Sequence, residues 1–150
     1  MKFSTRTLYG LKAILVLASR FGEGSLSVSQ IAKKEGISVA YLEQILNKLK
    51  KKGLVKSVRG PQGGYVLAQK PSEVSLEKLF YLLLDQNTFD GRKTEIKPET
   101  DEIVIANLIF WKKFKDSLEE NLKRSSLKDL IDEARRMKKS KPRTSYAFNI

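Results

Sequence analysis

The run Arg59-Gly60-Pro61-Gln62-Gly63-Gly64 places three glycines within six residues, in a chain with nine glycines among 150. Glycine-rich loops do two kinds of work. They cradle a nucleotide phosphate on backbone N–H groups at a helix N-terminus, or they form a hairpin tip stripped of bulk, so that backbone can approach a partner closely. A phosphate-binding loop reads G-x-x-x-x-G-K-[ST] and opens a helix. That motif is absent here, and the loop is followed by the β-type run Tyr65-Val66-Leu67 and preceded by another at residues 54–58. A nucleotide-dependent enzyme is therefore disfavoured, and the loop reads as the tip of a hairpin. Pro61 sets one turn dihedral, while Gly63 and Gly64 permit positive φ or close approach.

Other chemistry is narrowed by what the chain lacks. It has no Cys and no His, which removes disulfides, thiolate metal sites, the commonest general base, and the Cys and His nucleophiles. No cofactor or metal is expected. Carboxylate catalysis has no visible motif. The longest apolar run, residues 103–111, is broken by Asn107 and falls short of the roughly 20 residues of a membrane span. The N-terminal stretch is interrupted by Lys12 and shows no small-residue cleavage motif, so no membrane is expected and the cytoplasm is the default.

The net charge is +12 and unevenly placed: residues 1–70 hold 13 Lys and Arg against three Asp and Glu. A basic face concentrated in one half favours a polyanion, whether DNA, RNA or an anionic membrane.

The elements that position these residues follow from periodicity and capping. Residues 5–20 carry Leu8, Leu11, Ile14, Leu15, Leu17 and Ala18 at helical spacing. Ser27-x-x-Gln30 is a capping box opening a short helix. After Gly36, Ser38 caps a third helix over residues 39–52 with the stripe Val39, Leu42, Ile45, Leu46 and Leu49, and Gly53 stops it. Helix, short turn, helix, then hairpin is the winged helix-turn-helix plan. At 100° per residue, Ala40, Gln44, Asn47 and Lys51 lie opposite the stripe, with Glu43 at its edge. Gln and Asn pair with adenine, Glu accepts from cytosine N4, and Ala meets a thymine methyl. These residues and Tyr41 form the candidate base-reading set. Lys48, Lys50, Lys51 and Lys52 suit phosphates, as does Ser38 at the helix start. In the wing, Arg59, Gly60, Pro61, Gly63, Gly64 and Tyr65 are the candidates, with Arg59 assigned to the minor groove.

A short apolar helix spans 75–84, and residues 85–100 form a polar loop. A long helix spans 101–122, apolar nearly all round in its first half, which predicts packing on its own domain with one face and on a second copy with the other. Ile103, Val104, Leu108, Trp111 and Leu118 are the candidate dimerisation residues. A last helix runs to about residue 139. The tail then alternates Tyr146, Phe148 and Ile150, a pattern of an extended segment laid on a surface. The fold is thus mainly α with a small β-hairpin wing: 1–85 for DNA binding, 86–100 a linker, 101–139 dimerisation helices, and 140–150 a tail.

The stretches MKFSTRTLYGL and QIAKKEGISVAYLEQILNKLKKKGLVKSVRGPQGGYVLA, with the helix after Val74, resemble the Rrf-two family of bacterial winged-helix regulators. The resemblance covers about the first 85 residues. It implies a transcriptional regulator, most often a repressor, acting as a homodimer on palindromic double-stranded promoter DNA and not an enzyme. It also places Lys2, Ser4, Thr5 and Tyr9 at positions that clamp phosphates. Several members hold an iron–sulfur cluster through three cysteines in the loop before the long helix. Residues 85–100 contain none, so sensing of that kind is excluded here. Ala40 and Leu8 also depart from the family pattern. Among cluster-free members the chain is most similar to regulators of cysteine metabolism, whose aromatic-rich chains also close on Ile. That likeness implies docking of Phe148, Asn149 and Ile150 into O-acetylserine sulfhydrylase (cysteine synthase), or against the dimer. The other reading it leaves open is an enzyme-binding interaction module for which DNA is secondary.

Overall fold

The computed structural model describes residues 4–84 and 96–140. Lys2, Phe148, Asn149 and Ile150, and most of the 86–100 linker, lie outside the described residues. The elements run α1 (Thr5–Ser19), α2 (Val28–Glu35), α3 (Val39–Lys51), β1 (Val55–Val58), β2 (Gly64–Leu67), a 3-10 turn (Pro71–Glu73), α4 (Leu76–Leu83), α5 (Glu102–Lys123) and α6 (Leu127–Lys139). This is the expected mainly helical fold with a two-strand wing.

Local chemistry sets the helix starts. Ser4, Ser27, Ser38, Ser75 and Ser126 each accept a backbone N–H from the first turn of the helix that follows. Ser27 and Gln30 form the complete capping box, and so do Ser126 and Asp129. The apolar faces then meet in one core. Ile14 of α1, Ile31 of α2 and Leu42 and Leu46 of α3 are fully buried, joined by Val55, Val74 and Leu127.

Two details of the third helix and the wing differ from the sequence reading. Val39 is exposed, and the buried stripe is Leu42, Ile45, Leu46 and Leu49. Gly64 belongs to the strand, paired with Val58, so the tip is residues 59–63. Its glycine is required by packing rather than by positive φ. A Cβ there would sit 2.2 Å from the Leu26 carbonyl oxygen. Leu26 and Tyr65 exchange both backbone hydrogen bonds, at 3.0 and 2.8 Å, adding a single-residue third strand to the hairpin.

The C-terminal helices divide differently from the sequence grouping of 101–139. Helix α6 folds back onto the winged-helix body: Leu127 joins the core, an antiparallel bridge ties Ser75 to Ser126, and Arg135 donates to the Ser19 carbonyl at 3.1 Å. Helix α5 buries no residue. Its C-terminal half is tied to α4 by the Tyr81 hydroxyl bonded to Glu119 and by Lys123 against Glu77 at 3.4 Å. Burial and then that Glu119 bond push the Tyr81 hydroxyl from 10.0 up to about 12. The first half was expected to cover one face on its own domain. Instead it exposes Ile103, Val104, Ile109, Phe110 and Trp111.

Gly64→Ala should therefore be among the most damaging single-methyl changes in the chain, costing about 2–3 kcal/mol through overpacking against backbone. Urea denaturation checks it. Gly22→Ala, where φ is +87° but nothing lies within 4 Å, should cost less.

Candidate nucleic-acid interface

The outward side of α3 is set by its inward side. With Leu42, Ile45, Leu46 and Leu49 in the core, Ala40, Glu43, Gln44, Asn47, Lys48 and Lys51 are all exposed. The start of the helix is fixed twice. The Ser38 hydroxyl accepts from the Tyr41 N–H at 3.3 Å, which leaves its own O–H to donate outward. Tyr41 is half-buried and packs edge-to-face on Tyr9 of α1, with centroids 5.9 Å apart and planes at 74°. Tyr9 and Tyr41 thus brace α1 against α3. Ser4 caps α1 and Thr5 is exposed beside it.

Tyr65 is not at the tip of the wing. It is buried, and its hydroxyl donates to Asn47 Oδ1 at 3.2 Å. Burial, and secondarily the Glu43 charge, raise its pKa above the ordinary 10.0, so it stays a neutral donor. The bond joins the wing to the recognition face, and it changes what Asn47 offers. With one lone pair of Oδ1 taken by Tyr65, the Asn47 amide is oriented by the wing and keeps one acceptor site for a base edge. Gln44 carries no such commitment.

The wing tip is held from behind. Ser25 Oγ donates to the Gln62 carbonyl at 2.6 Å, and Gly63 N–H donates to the Gly60 carbonyl at 2.9 Å. Gly60 takes φ +119°, a conformation open to glycine. Arg59, Gly60 and Pro61 are exposed, and Gly63 is half-buried. Residues 28–59 carry eight Lys and Arg against Glu35 and Glu43, and Lys12 faces Glu35 at 3.9 Å. Among the described residues Lys48 and Lys51 make no ion pair. The exposed side of α3 thus carries amide, carboxylate and ammonium groups, and an exposed arginine stands on a hairpin held from behind.

Sequence reasoning placed α3 and the hairpin and counted Lys52 among the surface cations, but missed Ser25 and Leu26. The Lys52 ammonium donates to the Leu82 carbonyl at the end of α4. Phe110 and Phe114 also belong with the exposed apolar residues of α5, and their i, i+4 spacing from Ile103 through Asn107 was the available signal. Leu108 and Leu118, by contrast, are half-buried.

The sequence matches the Rrf2 family, described as an iron-dependent transcriptional regulator, over residues 3–133. It is 35% identical over 130 residues to the HTH-type transcriptional regulator CymR of Bacillus subtilis (strain 168), covering 87% of this chain and 89% of that one. It is 45% identical over 76 residues to the HTH-type transcriptional regulator IscR of Aliivibrio salmonicida, a match to 51% of this chain and 45% of that relative. In three dimensions it is similar to CymR (YrzC), the global cysteine regulator of B. subtilis, with a TM-score of 0.70, 32% identity and coverage of 88% and 97%. It is likewise similar to T. potens IscR, with a TM-score of 0.71, 36% identity and coverage of 97% and 95%. The iron in the family description does not fit these residues. Thiolates and imidazoles are absent from the whole chain, and among the described residues no three carboxylates converge. No helix among the described residues is long and apolar enough to cross a membrane. The chain belongs to the Rrf2 family of transcriptional regulators.

Proposed function

We propose that the protein is a homodimeric repressor that reads palindromic double-stranded DNA, with α3 in the major groove and the wing on the flanking backbone or minor groove. The observation that carries this is the hairpin locked to α3 through Tyr65 and Asn47, with Lys48, Lys51 and Arg59 all exposed. Gln44, Ala40 and Glu43 meet base edges, Tyr41 and Asn47 support them, and Ser4, Thr5, Tyr9, Ser38, Lys48 and Lys51 hold phosphates. No catalytic step is part of this reading.

Dimerisation rests on α5. Projected at 100° per residue, Ile103, Phe110, Phe114, Trp111 and Val104 fall on one contiguous face, and Ile103 is 77% exposed, Phe110 60% and Trp111 53%. Phe110, Trp111 and Phe114 form an edge-to-face series at 5.3 and 5.9 Å. A second copy of the same stripe is the partner that covers it.

The likeness to CymR supports control of cysteine metabolism. On that reading the tail residues Phe148, Asn149 and Ile150 dock a C-terminal carboxylate into O-acetylserine sulfhydrylase.

Gln44→Ala should cost about 1–3 kcal/mol on the preferred operator and relax base choice at one position. Lys51→Ala should weaken all sequences alike and flatten the salt slope by about 1, and Arg59→Ala should erase A·T preference beside the half-site. Selection from random DNA followed by anisotropy at several salt concentrations reads all three. If Gln44→Ala and Lys51→Ala behave alike, the face assignment is wrong. Phe110→Glu, at an exposed position, should leave the fold intact and convert a dimer into a monomer by sedimentation equilibrium; a monomeric parent chain would refute the dimer. Deleting the last four residues should abolish capture of the sulfhydrylase in a pull-down, and equal capture by both chains would end that proposal.

A further inference from the structure

Between α1, α3 and α4, beside the outward face of α3, lies a cavity of about 470 Å³. Its floor is apolar: Ile45 and Leu49 from the inner edge of α3, and Leu82 and Leu83 from the end of α4. Its rim is cationic: Arg6 from α1, and Lys48, Lys51 and Lys52 from the last turns of α3. Among the described residues that line it there is no acidic side chain.

Side chains of α1 and α3 are tied to the end of α4 beside the cavity. Gly10 sits where a Cβ would lie 2.8 Å from Leu83 Cδ2, so α1 and α4 are as close as they can be. Thr7 Oγ1 donates to the Leu83 carbonyl at 3.2 Å, and the Lys52 ammonium donates to the Leu82 carbonyl. Lys52 spends one of its three N–H groups there and keeps two for a ligand.

We propose that this cavity binds a small organic anion, a carboxylate head on a short apolar body, as an effector of operator binding. The volume falls within the roughly 300–1,000 Å³ of small-molecule sites. A bare inorganic anion would leave the leucine floor unused, and so would a DNA phosphate, which carries no apolar body to cover it. The carboxylate pairs with the lysine rim, and the apolar body covers Ile45, Leu49, Leu82 and Leu83. Lys48 and Lys51 are shared with the proposed phosphate contacts, so occupancy neutralises cations that DNA needs and lowers operator affinity. This coupling rests on the DNA-binding reading, whereas ligand binding is read without DNA.

The test uses the full chain and sodium octanoate as probe, with 1-octanol supplying the apolar body alone and sodium sulfate the charge alone. Calorimetry should show one octanoate per chain, with affinity about tenfold lower in Lys52→Met and in Lys48→Met, each variant removing one charge-assisted contact. Lys48 is exposed, so its variant folds even if Lys52→Met disturbs α4. Neither control should saturate. Absence of saturable octanoate binding, affinity unchanged from the parent chain in both variants, or sulfate binding as well as octanoate would overturn the site. Saturating octanoate should lower affinity for the selected operator about tenfold in the parent chain; octanoate that binds and leaves operator affinity unchanged would overturn the coupling.

Discussion

Burial of Leu42, Ile45, Leu46 and Leu49 is the constraint on which the rest of the molecule depends. Each such side chain contributes about 1.5–3 kcal/mol when removed from water, and together they lock the rotation of α3 about its own axis. Once that rotation is locked, the outward residues have no freedom of choice: Ala40, Gln44, Asn47 and Lys51 face away because the four apolar residues face in. The wing inherits the same reference frame. Leu54 and Val55 continue the core directly after α3, and Tyr65 lands on Asn47 from the opposite strand. A change in the core stripe would therefore turn the recognition face and the hairpin together.

The interface is weighted toward charge. Of the polar residues that α3 turns outward, Asn47 is committed through Oδ1 and Glu43 lies close enough to raise the pKa of Tyr65, which leaves Gln44 as the least encumbered reader of a base edge. Cations are abundant by comparison. Affinity from phosphates is cheap to assemble and indifferent to sequence, so discrimination in such a surface falls on few side chains and on the shape of the DNA against a rigid hairpin.

What could be read from the chain in advance divides along sequence separation. Ser27 with Gln30, Ser38 with Tyr41, and the stop at Gly53 are interactions within three or four residues, and each was legible. The helix-turn-helix, the hairpin and the outward set on α3 follow from those and from apolar spacing. The rest depends on contacts between distant residues. Gly64 is glycine because Leu26 passes beside it, 38 residues earlier in the chain. Val39 fits the apolar spacing and is exposed, although Tyr41 two residues on packs against Tyr9. Lys52 reads as one more surface cation until Leu82 is placed against it. The return of α6 to α1 carries no local sign at all, because Leu127 looks the same in a core as in a dimer seam.

The bridge between Ser75 and Ser126 has a mechanical meaning. Leu76 N–H donates to the Ser125 carbonyl at 2.9 Å and Leu127 N–H to the Val74 carbonyl at 2.8 Å, so the C-terminal end of α5 is clamped to the reading head while its first half stands clear. A clamped rod of 22 residues is about 33 Å long. Tilting it by about 5° at the clamp moves its far end by about 3 Å, close to the ~3.4 Å step between base pairs. In the proposed dimer the two heads are carried on two such rods. Small adjustments at their bases would then be magnified into whole-base-pair changes in the distance between the sites being read.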